Sequence, residues 1–157
     1  MKKLIIFVLT ICIGVSLIGC TKKSNPQTKL EKTTSNTSNL VDAKAKTTKT
    51  FIESLNKLGY SYKTSKENDK EFLAGDLTKV VIGEDIIGVY EYPNPELVEK
   101  NAKAISSDGS MVGNAVYDWK AAPHFYKNGT ILVTYIGGNK KIIDTLEKLM
   151  GHQFAGM

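Results

Sequence analysis

Phe125-Tyr126-Lys127-Asn128-Gly129-Thr130-Ile131-Leu132, running on through Val133-Thr134-Tyr135-Ile136, is the stretch that decides the fold of this 157-residue chain. Asn-Gly between two apolar runs spells a tight hairpin, because both central residues of the favoured turn need positive φ and these two residues accept it best. After Ile136 come Gly137-Gly138-Asn139 and a helical stripe of Ile142, Ile143, Leu146, Leu149 and Met150, with Gly151 beyond its end. A strand pair followed by an amphipathic helix is therefore the unit to look for elsewhere.

It recurs upstream. Residues 86–92 alternate Ile86, Gly88, Tyr90 and Tyr92 with Ile87, Val89 and Glu91, and Gly83-Glu84-Asp85 supplies a turn, so 78–92 reads as a second hairpin. Asn94-Pro95 then caps and opens a helix to about residue 105, with Val98, Ala102 and Ile105 on its stripe. A first helix starts at Thr50, whose spacing to Glu53 is that of a capping box, carries Phe51, Ile52, Leu55 and Leu58 inward and ends at Gly59. Further short strands are expected at 60–63, 72–73 and 114–119, with a polar connection over 65–70. The sum is one α+β domain: a mainly antiparallel sheet of five or six short strands, with about three helices on one face.

The N-terminus is of another kind. Lys2 and Lys3 precede an apolar run from Leu4 to Ile18, the order of a secretory signal, and about 15 apolar residues fall short of the ~20 that span a bilayer. Leu17-Ile18-Gly19-Cys20 resembles the lipobox of bacterial lipoproteins. That resemblance implies cleavage between Gly19 and Cys20 and acylation of Cys20, with palmitate-type chains holding the protein on the outer face of the cell membrane. Residues 1–19 are thus expected to be a cleaved signal peptide. Residues 20–48, rich in Lys, Thr, Ser and Asn, should form a flexible polar tether, and 49–157 the globular domain.

Charge and cysteine content narrow the function. The net charge of +5 comes from the first 46 residues, since thirteen lysines face fourteen acids from residue 47 onward. Every basic residue is lysine, so no guanidinium fork exists for bidentate reading of phosphate or guanine, and nucleic acid is not an expected partner. Cys12 lies in the signal segment and Cys20 in the lipobox, so the domain has no disulfide and rests on its core.

Chemistry-bearing motifs are sparse. His124 and His152 lack metal-ligand spacing, and His124 is expected to be a partly exposed strand residue. The acid-rich Glu67-Asn68-Asp69-Lys70-Glu71 lacks the alternation and glycine of a calcium loop, and Gly109 to Gly113 lacks the spacing of a nucleophile elbow. Gly138-Asn139-Lys140-Lys141 offers amides and ammonium groups to an anion, although a capped helix start explains it better. No cofactor and no catalytic activity are expected.

Aromatics remain. Tyr90, Tyr92, Tyr117, Trp119 and Tyr126 all fall in expected strands and form the candidate binding surface, against the alternative that they are core or ordinary sheet surface. Trp119, Pro123-His124-Phe125-Tyr126, the Asn-Gly hairpin, Ile143-Asp144-Thr145-Leu146-Glu147 and the closing Gly151-His152-Gln153-Phe154-Ala155-Gly156 together resemble a set of uncharacterised small lipoproteins from low-GC Gram-positive bacteria. The resemblance implies the anchor and the compartment and brings no activity. Phe154 should fold the tail back onto the sheet. The expected function is a non-catalytic module that binds an envelope or membrane protein through strand aromatics or a sheet edge; the alternative is a binder of a small molecule or cell-wall fragment, with a hydrolase a distant third.

Overall fold

The Asn-Gly hairpin forms, displaced by one residue. Strand β6 (Pro123–Asn128) pairs antiparallel with β7 (Ile131–Ile136) and Asn128 faces Ile131, so the turn residues are Gly129 and Thr130 rather than Asn128 and Gly129. The cause lies in a neighbouring segment. Thr130 donates from its N–H (2.9 Å) and its hydroxyl (3.1 Å) to the Lys46 carbonyl. Gly129, at φ +56°, approaches so closely that a Cβ would lie 2.5 Å from that same oxygen.

The structure, a computed structural model, describes residues 44–67 and 72–157. The signal peptide, the lipobox, nearly all of the tether and residues 68–71 of the acid-rich stretch lie outside them. Ala45 is 1% exposed and donates to the Leu149 carbonyl at 2.7 Å, so the folded part already includes residues that composition assigned to the tether. Its start moves from 49 to no later than 45.

Around the hairpin a six-stranded sheet assembles, antiparallel throughout. Its strands are β1 (Lys63–Glu67), β2 (Asp76–Ile82), β3 (Asp85–Glu91), β6, β7 and β8 (Ala155–Gly156), in the spatial order β1-β2-β3-β7-β6-β8. A two-stranded ribbon joins β4 (Met111–Val112) to β5 (Ala115–Val116) and is all that forms of the strand expected over 114–119. The connection expected over 65–70 contains β1 instead. Four of its five residues are exposed, so it shows no apolar alternation and is held by its ladder to β2, and its lysines suit an unpaired edge. No strand forms over 60–62 or 72–73.

Three helices complete the α+β fold: α1 (Thr48–Lys57), α2 (Pro95–Ala102) and α3 (Lys140–Met150). The capping box of α1 sits three residues earlier than the sequence pattern suggested, with Thr47 accepting from the Thr50 N–H and the Thr50 hydroxyl accepting from the Thr47 N–H. Asn94 caps α2, Asn139 caps α3, and Gly151 at φ +104° closes α3.

The helices divide between the two faces instead of sharing one. Val80, Ile87, Val89, Val133 and Tyr135 face α1 and α3, meeting Phe51, Leu55, Ile142 and Leu146. On the other face Leu77, Tyr90, Phe125 and Leu132 meet Val98 and Ala102 of α2. Consecutive buried residues on β7 explain the division: with Ile131, Leu132 and Val133 all at 0% exposure, both sides of an inner strand need a cover. The eight residues of α2 reach only part of the second face. Val98 and Ala102 pack α2 onto this face, and Lys127 pairs with Glu99 beside the hairpin turn.

Candidate binding cleft

Where α2 stops, the floor of the sheet drops. Gly88 on β3 lies opposite Thr134 on β7, both inner strands, and the segment carrying Tyr117 and Trp119 rises beside them. A cleft of about 560 Å³ results, within the roughly 300–1,000 Å³ of small-ligand sites. Gly88 makes the floor. Its φ is not positive, so any residue fits its backbone, yet a Cβ there would meet the Thr134 hydroxyl at 2.6 Å and the Tyr90 ring at 3.2 Å. Space is what this glycine provides.

Thr134 is 5% exposed as a whole, and its hydroxyl is turned toward Gly88. It lines the cleft.

The wall is aromatic. Tyr117 and Trp119 stack with ring centroids 4.8 Å apart and planes 10° from parallel, and Phe72 meets Trp119 edge-on at 5.4 Å. The indole N–H donates to the Gly109 carbonyl at 2.7 Å, which fixes the ring's rotation. Gly109 occupies φ +72° close to Phe125, where a side chain would collide with that ring. Ile86, 54% exposed, and Ile136 close the apolar lining, while the rim sets Lys79 and Lys120 against Glu84 and Asp118.

The five aromatics singled out in the sequence thus go to different places. Tyr117 and Trp119 form the wall and Tyr90 lies in the floor at 1% exposure. Tyr92 is buried against Gly75 on the far side of the second core, where burial pushes its phenol up to about 12. Tyr126 is fully buried on the opposite face, its phenol also raised to about 12 by burial and then by the carboxylates of Glu147 and Asp144. Neither of these two reaches the cleft. Gly88 and Thr134 were not singled out by the sequence, although a lone glycine inside an alternating strand is the signal that marks such a place.

The other candidates are accounted for by the chain itself. His124 is buried rather than partly exposed: its Nδ1 lies 2.6 Å from Gln153 Oε1, its Nε2 lies 3.0 Å from the Gly137 carbonyl, and its ring stacks on Tyr135. The tail draws it in, because β8 pairs with β6 and Phe154 packs on Phe125. At the Gly138–Lys141 turn the carboxylate present is that of Asp85, which accepts from the Tyr135 hydroxyl and from Asn139 Nδ2, each at 2.6 Å. Burial first, and the bond to Asp85 second, raise the Tyr135 phenol above its ordinary value. Lys140 pairs with Asp144, and Lys141 lies over the Tyr60 ring. A second depression of about 530 Å³, between the start of α1 and the β1–β2 edge, is rimmed by the charged residues Lys49, Lys66, Glu67, Asp76 and Glu91. Among the described residues no group of three or more His, Cys, Asp or Glu side chains is placed to hold a metal ion, and no helix is long and apolar enough to cross a membrane.

No protein-family model matches the chain, and comparison with curated proteins and with solved structures finds no match. What the geometry defines is an α+β domain with an aromatic-walled cleft on a partly covered sheet face.

Proposed function

We propose that the chain is a lipid-anchored extracytoplasmic binding protein that holds a small ligand in this cleft and carries out no covalent chemistry. One observation carries the reading: a cleft whose floor sets the Thr134 hydroxyl beside a bare Gly88, under the Tyr117–Trp119 wall. On this reading Cys20 bears the acyl chains, and the protein stands on the outer face of the membrane with the small lipoproteins that its C-terminal third resembles.

Of the two binding functions expected from sequence, the small-ligand one gains. A flat aromatic face would need Tyr92 and Tyr126 at the surface, and both are interior. A sheet edge offers little to a protein either, since β1 is polar and β8 has two residues. Protein docking keeps one specific support, the ribbon pair Met111 and Val116, directly opposite each other and 39% and 75% exposed.

A fragment library read through Trp119, the chain's one tryptophan, tests the cleft on the full-length protein. Fragments that saturate its emission change should lose that effect in Gly88→Val. Hits that persist in the variant, or no hits, refute the reading. The anchor is tested in cells with a labelled fatty acid: Cys20→Ala should leave an unlabelled, uncleaved precursor, and label on that variant would exclude it.

A further inference from the structure

The lining of the cleft says what class of ligand it selects. We infer that the ligand is a neutral saccharide, seated with an apolar ring face on the Tyr117–Trp119 wall and a hydroxyl on Thr134. The inference rests on the cleft being a ligand site, as proposed above.

Charge is the first discriminator. Around the rim Lys79 and Lys120 face Glu84 and Asp118, and the third carboxylate, Asp85, keeps its charge but is turned onto the Tyr135 hydroxyl and the Asn139 amide. Among the described lining residues there is no excess of cations to hold a phosphate or carboxylate, and the one acid in excess, Asp85, is engaged by Tyr135 and Asn139 instead of being offered to a cation. Ligand hydroxyls both donate and accept, so they are served by carboxylate and ammonium together.

The floor is the second. An extended peptide draws its affinity from main-chain bonds to a free strand edge. Here β3 lies between β2 and β7, and β7 lies between β3 and β6, so their backbone groups are spent on the sheet. A purely aliphatic chain would fit the apolar wall but would cover the Thr134 hydroxyl without offering it a hydrogen bond. What remains is a ligand with an apolar face and several hydroxyls. Pyranose rings have that form, and the parallel pair of Tyr117 and Trp119 presents rings on which such a face packs. Gly88 gives the sugar hydroxyl its route to Thr134.

The test uses the full-length chain in a detergent without a sugar headgroup. Chitotriose, cellotriose and maltotriose are titrated while Trp119 emission is followed, with trigalacturonate as the charged comparison. At least one neutral trisaccharide should give a saturable change and the uronate little or none. Thr134→Val, which keeps the shape and removes the hydroxyl, should weaken that binding about tenfold, the worth of one hydrogen bond. Gly88→Val should abolish it, and should that variant fail to fold, Thr134→Val and Lys120→Ala carry the test. Silence from all three neutral sugars at millimolar concentration overturns the inference, as does tighter binding of the uronate. The fragment library then separates the two proposals: fragments seated against Gly88 retain the cleft without the sugar, and none seated there refutes both.

Discussion

Glycine at position 88 stands in the middle of an inner strand, where it costs roughly 0.5–1 kcal/mol relative to alanine through backbone entropy alone. If only that cost mattered, Gly88→Ala would stabilise. A Cβ 2.6 Å from the Thr134 hydroxyl reverses the sign, because a threonine on a crowded sheet has one short, stiff side chain to move. Urea unfolding should show Gly88→Ala to be less stable by about 1 kcal/mol. A gain in stability would mean that the floor has room to spare and that the glycine is not there for space. Tyr126 runs the other way. Its hydroxyl is buried with no partner among the described residues, so Tyr126→Phe should raise stability by about 1 kcal/mol, and a loss would reveal a bond that this geometry does not contain. Strand aromatics could be named from the sequence, but whether each ring points to the core or the cleft depends on register, which pairs Tyr90 with Leu132 and puts Tyr126 on the other face.

Elements were most legible where both local chemistry and periodicity spoke. Both hairpins, α2 with its Asn-Pro start and α3 with its Gly151 stop could all be read from residue order. β1 could not, since an edge strand with two solvated faces has no pattern to read. The start of α1 was misplaced because Thr47 and Thr50 each present a hydroxyl, and only the buried Ala45 settles which one caps. Two variants check this assignment by thermal melts. Thr47→Ala should cost about 1 kcal/mol, while Glu53→Ala, whose ion pair among the described residues is a solvent-exposed 4.0 Å contact with Lys49, should cost little. The reverse order would restore the box at Thr50. A further test concerns the β6–β7 turn. Gly129→Ala adds a left-handed strain of roughly 1–2 kcal/mol to a collision with Lys46, so it should detach residues 44–47 before it opens the hairpin. Faster hydrogen exchange at the Ala45 amide, with the sheet still protected, is the expected signature.

At the scale of the molecule, the decisive property is that the sheet is buried on both sides. Ile131 to Tyr135 contains an unbroken apolar triplet, the mark of a strand covered on two faces, and it puts α2 opposite α1 and α3. The α+β class followed from element order alone, but the cleft is what remains where a helix of eight residues runs out, and helix length against sheet width is not written in any local motif. The same two-sided burial gives the domain an alkaline limit. Tyr92 lies in one core and Tyr126 in the other, both raised to about 12, and Tyr135 is shifted in the same direction. In the unfolded chain a phenol loses its proton near pH 10. Between pH 10 and 12 the unfolded state therefore binds fewer protons than the folded one, and stability falls as pH rises. Below pH 10 all three phenols are protonated in both states and contribute no slope. The urea midpoint should hold steady from this source up to about pH 9 and drop by pH 11. Tyr126→Phe should flatten the drop by removing one of the three groups, leaving Tyr92 and Tyr135 to carry the rest. An identical alkaline slope in the variant would show that Tyr126 ionises as readily in the fold as in the unfolded chain, and that the face beneath α3 admits water.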